Sequence, residues 1–146
     1  IYHVIETEEK ILTVLQNDTI TLKRNKQNRT IKQILGHFID SASNNHQRMV
    51  RLQYSKDLLF FPDYRQDNDL WIALQDYQNE DWNNLIQLWK FFNLHIIQVI
   101  KSVDQTKLDS YWCDFEGTKV TLQDMIEGYL SHLHLHIHEI HELMNA

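Results

Sequence analysis

His132-Leu133-His134-Leu135-His136-Ile137-His138 alternates polar and apolar residues with a period of two, the grammar of a half-buried strand. How it is read decides the fold. A strand would put every imidazole on one face, whereas a helix would scatter them. Three features favour the helix. The ten residues before the run carry apolar side chains at helical spacing (Leu122, Met125, Ile126, Tyr129, Leu130). Nothing between Gly128 and Ala146 would end a helix. Ile140, Leu143 and Met144 then resume the stripe. The spacing predicts one helix from Leu122 to about Met144. Thr121 is its N-cap, and Asp124 three residues on completes a pattern like a capping box.

The same rhythm extends upstream. Ile31, Ile34, Leu35, Phe38, Ala42, Met49 and Leu52 define a helix over residues 30–54. Trp82, Leu85, Trp89, Phe92, Ile96, Val99, Ile100 and Val103 define another, after acids at Glu80 and Asp81 that suit a helix start. Ile5, Ile11, Leu12 and Leu15 carry a looser helical pattern from Ile1 to about Asn17, read as the later part of a first helix. Leu70 to Tyr77 reads as a short helix after a break that holds Phe60-Phe61-Pro62-Asp63-Tyr64. Tyr111-Trp112 and Val120 are placed to form a small hairpin around Gly117. Glycine and proline agree with this reading. The chain of 146 residues has 3 Gly and 1 Pro, where average usage would give roughly ten and seven. A sandwich, a barrel or a glycine-rich phosphate loop would need more. The expectation is an all-α four-helix bundle in one domain over 1–146.

Bulk chemistry narrows the function classes. The net charge of −6 disfavours nucleic acid as a partner, and Lys23 to Arg29 reads as a solvated basic loop. The single Cys113 forbids an internal disulfide and suits a reducing, cytoplasmic compartment. No apolar run reaches the ~20 residues of a membrane span. The start lacks both signal-peptide grammar and an initiator Met, which reads as N-terminal residues trimmed or missing.

Nine histidines are about three times the ordinary share and need a reason. On a wheel of ~100° per residue with His132 at zero, the apolar arc of the last helix spans ~20° to ~160°. His136 falls inside that arc and His132 at its margin, while His134, His138 and His141 fall beyond it, toward water. Leu135 sits on the polar side and marks a partner surface. His132 and His136, at i and i+4, share a face and suit two ligands of one metal. The best third ligand is His37, on the edge of the second helix's apolar arc. It stands beside a polar stripe of Asp40, Ser41, Asn44, Asn45 and Arg48 that resembles a cleft wall. Three neutral imidazoles leave Zn²⁺ an open position for water, a thiolate or a substrate oxygen. Glu139, adjacent to His132 on the wheel, and Asp40, one turn beyond His37, are candidates to orient a ligand or act as a base. His95 reads as a core histidine and reserve ligand, and His46 as packing or solvent-facing. His138-Glu139-Ile140-His141 is one residue short of a zincin motif. The four Trp read as core, and Cys113, beside Asp114 and Glu116, as a poor nucleophile.

The run Ile34-Leu35-Gly36-His37-Phe38-Ile39-Asp40-Ser41-Ala42-Ser43-Asn44-Asn45-His46-Gln47-Arg48 resembles the second helix of DinB-like (YfiT-like) proteins. Tyr129-Leu130-Ser131-His132-Leu133-His134-Leu135-His136 resembles their final helix, and Tyr77 to Trp82 with Leu88-Trp89 resembles one branch of the family. The resemblance covers about residues 30 to 140. It implies a four-helix bundle with a three-His site for Zn or Ni, and carries its ligands onto His37, His132 and His136. It also implies thiol chemistry, because characterised relatives include low-molecular-weight thiol S-transferases and a mycothiol-dependent isomerase, and many members are homodimers. This chain departs from the pattern at Leu135, where a histidine is usual, and at Glu139, where Gln is usual.

The leading expectation is therefore a metal-dependent transferase or hydrolase that activates a thiol or water for a small-molecule substrate. The alternative is a non-catalytic, metal-binding or stress-related dimeric bundle.

Overall fold

The computed structural model describes residues 2–55, 67–114 and 116–146. Among them are six α-helices: α1 (Tyr2–Thr13), α2 (Asn17–Leu22), α3 (Ile31–Arg51), α4 (Asn68–Leu74), α5 (Trp82–Lys101) and α6 (Leu122–Met144). One antiparallel hairpin pairs β1 (Tyr111–Cys113) with β2 (Lys119–Thr121), Trp112 lying opposite Val120. The histidine-rich run is helical throughout. The expected break with its single proline falls mostly on residues outside the described ones.

Local chemistry sets where the helices begin. Thr30 and Gln33 form a reciprocal capping box at α3, and Thr121 and Asp124 form one at α6. Asp81 caps α5 by accepting from the Asn84 backbone N–H. Each such cap is worth about 1 kcal/mol. Two differences from expectation are also local. The first helix ends at Thr13, and a separate short α2 follows, with Ile20 buried. The helix expected at Leu70–Tyr77 ends at Leu74, where Asp76 takes a left-handed conformation (φ 51°) and Tyr77 opens a 3₁₀ turn.

The four long helices make the bundle, and their contacts give its directions. Trp82 Nε1 donates to the Leu12 carbonyl, Lys90 pairs with Glu9, and Lys101 lies over the Tyr2 ring, so α1 and α5 run antiparallel. The N-terminal halves of α3 and α5 share one core cluster (Ile31, Leu35, Leu85, Trp89) with the C-terminal half of α6 (Ile140, Leu143). The other halves share a second cluster with Met49, Ile96, Leu122 and Met125. Helices α3 and α5 are therefore parallel. The α5–α6 connection is a short reversal through the hairpin. The bundle is one with a crossover rather than a simple up-and-down one. No helix among the described residues is long and apolar enough to cross a membrane.

One close approach fixes the N-terminal half of α3. A Cβ on Gly36 would fall inside the contact distance of the Tyr77 ring, which is buried against the helix there. Only glycine leaves room for it. The first residues of α5 follow directly on that ring.

Candidate metal centre

His37 lies on α3, one residue beyond the Tyr77 contact, in the stretch that Thr30 starts and Gly36 seats. It is half-buried, and its Nδ1 is buried with no hydrogen-bond partner. Burial, helped by the nearby charges of Arg29 and His136, lowers its pKa to about 4. The ring is thus neutral at physiological pH, the form that can donate a lone pair to a metal.

Helix α6 brings up the other two rings. His37 and His136 meet edge to face with centroids 5.8 Å apart, and His136 lies 5.4 Å from His132. Two imidazoles on one tetrahedral zinc have centroids about 5 Å apart, from bond lengths of about 2 Å. Both separations are close to that. Burial and the proximity of His136 hold His132 below the usual histidine range.

Glu139 sits three residues after His136, with Oε2 3.4 Å from Nδ1, at the long end of hydrogen bonding. Its other oxygen accepts from Asn25 Nδ2 at 3.0 Å. The contact with His136 holds its carboxyl below the usual range, against the effect of burial, so it is negative at neutral pH. This arrangement engages Nδ1 of His136 and leaves Nε2 as its donor atom.

As the side chains stand, no three His, Cys, Asp or Glu among the described residues are gathered around one point. The Phe38 ring stacks on His136 at 3.8 Å and occupies one of its faces. Beside these rings is a cavity of about 20 Å³ lined by His132, His136, Ser41, Asn93 and Tyr129 together with Phe38 and Trp89. That is room for about one water molecule. The Tyr129 hydroxyl donates to Asn93 Oδ1, and Asn93 Nδ2 donates to the Trp89 carbonyl at 2.7 Å. Burial pushes the Tyr129 phenol well up, so it stays protonated. The sequence reading placed Ser41 on a cleft wall, and missed Asn93 and Tyr129 as site residues. The visible signal was Asn93, an amide one turn past Trp89 within an apolar stripe.

A second, open cleft of about 570 Å³ is lined by Arg24, Asn25, Lys26, Gln27, Glu139, Glu142 and Leu143. Glu139 therefore lies between His136 and a space of small-molecule size.

Asp40 is placed differently from expectation. It is buried, and its described hydrogen bonds run to the Tyr77 hydroxyl (2.7 Å) and Gln75 Nε2 (2.9 Å), not to His37. Its Oδ2 is buried without a partner. Burial raises its pKa, with the bonds from Tyr77 and Gln75 opposing. The folded chain thus holds this proton more tightly than the unfolded chain does. The stability Asp40 contributes falls as pH rises from the ordinary 3.8 through the folded value. Asp40→Asn removes that dependence while keeping an acceptor for Tyr77. Its stability relative to wild type is expected to improve with rising pH, read from urea unfolding at about pH 4 and pH 7. A flat or reversed difference contradicts the assignment.

Two more histidines depart from expectation. His95 is exposed rather than in the core, and its ring meets His46 rather than the three candidate ligands. His141, expected to face water, bonds Glu8 at 2.8 Å, and Glu8 is 3% exposed. His138 does face solvent, beside Glu142, and Leu135 is exposed on the polar side of α6. Trp89 and Trp112 are buried, as core side chains.

A family model described as DinB superfamily matches residues 1–140. None of the curated proteins compared matches this chain. Among solved structures, YfiT from Bacillus subtilis, described as a probable metal-dependent hydrolase with an unusual four-helix bundle topology, superposes with a TM-score of 0.85 at 18% identity, over 99% of this chain and 81% of that one. A mycothiol-dependent maleylpyruvate isomerase superposes with a TM-score of 0.75 at 9% identity, over 95% of this chain. This chain spans 57% of that isomerase. At these identities the likeness is one of fold.

Proposed function

The chain belongs to the DinB superfamily, and from that premise we propose that it is a metal-dependent enzyme whose ligands are His37, His132 and His136. The observation that carries the reading is the His37 imidazole: neutral, with a buried unpartnered Nδ1, and set against the His132/His136 pair at distances near those of shared ligands. The likeness in fold to a protein described as a probable metal-dependent hydrolase supports it. Zn or Ni is the expected ion, because imidazole donors suit both.

When bound, a divalent ion held by three neutral imidazoles acidifies a water or thiol at its open position. The chain's own groups do the rest. Glu139 engages Nδ1 of His136, which would leave Nε2 free to hold the ion. Being charged and at the edge of the open cleft, Glu139 is also the group to take a proton from a substrate entering there. Asp40 acts at a distance, by pinning Tyr77 and with it the segment of α3 that carries His37. Tyr129 and Asn93 line the closed side with paired polar groups. As they stand the three rings do not surround one point, so holding an ion would require their side chains to shift. The cleft suits a small-molecule substrate. Transfer to a low-molecular-weight thiol and hydrolysis are the two reactions proposed, the former on the likeness to the mycothiol-dependent isomerase.

The test is metal content. Protein purified without a His-tag should hold close to one transition-metal ion per chain, and chelator at about pH 7.5 should lower its melting temperature. Less than a tenth of an equivalent, with no chelator effect, would overturn the proposal.

A further inference from the structure

Two histidines outside the candidate centre also meet across helices. His46 on α3 and His95 on α5 lie with ring centroids 5.3 Å apart and planes at 63°. His46 is nine residues beyond His37, so the pair sits ~13.5 Å further along the α3 axis. The separation is slightly shorter than those within the candidate centre, and matches the ~5 Å expected of two imidazoles on one ion. Helices α3 and α5 run parallel, and His46 and His95 lie at similar depths in them. The Phe92 ring, one turn before His95, packs edge-on to His46 at 5.7 Å and limits its rotamers. His46 is half-buried and His95 exposed, so water can reach the pair and complete a coordination shell.

We propose that His46 and His95 form a second divalent-metal site, taking ions of the imidazole-preferring class with water as the remaining ligands, and clipping α3 to α5. Two neutral ligands without a carboxylate or thiolate favour Cu²⁺ and Ni²⁺ over Mg²⁺ or Ca²⁺. Part of the ordering cost is already met, because Phe92 packs against His46 and the two imidazoles already meet. The proposal does not depend on the three-His centre, whose ligands are all different residues. Nor does it extend to the exposed His134 and His138, for which no such ring contact occurs among the described residues.

The experiment is a titration of metal-free, untagged full chain with CuCl₂ and with NiCl₂, followed by calorimetry and by thermal melting. Wild type should bind one equivalent that His95→Ala loses, with affinity for that equivalent falling at least ~10-fold and the associated rise in melting temperature disappearing. His46→Ala should do the same, and His138→Ala should not. His95 is exposed, so its replacement leaves the fold intact, and circular dichroism checks this. The proposal is overturned if His95→Ala binds both ions as wild type does, or if the equivalent disappears in His138→Ala instead. Loss of the three-His centre would show separately, as an equivalent sensitive to His136→Ala and indifferent to His95→Ala.

Discussion

Gly36→Ala is expected to cost about 3 kcal/mol or more, the upper end of overpacking effects, and to lower the melting temperature by roughly 6–12 °C at this chain length. The added methyl would enter the Tyr77 ring close to its root, where a side chain has little freedom to move aside. Tyr77 is buried, and its hydroxyl is engaged by Asp40 and Gln75, so escape also means breaking those bonds. The measurement is thermal or urea unfolding of both proteins. A shift under about 2 °C would mean the ring is less tightly held than described. The cost should be strongly non-additive with Tyr77→Ala, since that change removes the atoms the methyl collides with. Metal affinity should fall as well, because displacing Tyr77 disturbs the turn of α3 that carries His37.

His136→Ala has the largest expected functional effect. His136 is the central ring of the three, in contact with both His37 and His132. Losing even an outer partner of a ligand typically costs 10–100-fold in affinity, so losing this ring should cost at least ~100-fold. Stability of the metal-free chain should fall by only about 1 kcal/mol, from the lost stack on Phe38. Equilibrium dialysis and melting with and without chelator separate the two effects. If metal content and chelator sensitivity are unchanged, the ion is held elsewhere. His138→Ala is the matched control, two residues away on the same helix, exposed, and beside Glu142.

Much of the fold was legible because it rests on local periodicity. The cap at Thr121, the stripes of α3, α5 and α6 and the hairpin around Gly117 each need only neighbours within a few residues. The helical reading of the alternating His run was settled by its flanks. Residues whose surroundings are non-local were harder to place. Asp40 shares a helix with His37 three residues away, but its partners Tyr77 and Gln75 arrive from a distant segment. His141 falls on the solvent side of an isolated α6, and only the docking of α1 supplies Glu8. His95 lies at the edge of its helix's apolar stripe, where a wheel cannot separate burial from exposure.

The sequence alone determined that this is a chain of long helices with histidines on α3 and α6 that could share a metal, because side-chain spacing along a helix fixes which residues share a face. Only the tertiary structure decided which faces meet. The docking of α6 antiparallel against α3 sets His37 against His136, and the parallel run of α3 and α5 sets His46 against His95. Relative helix direction depends on contacts between residues dozens of positions apart, and no local pattern encodes it.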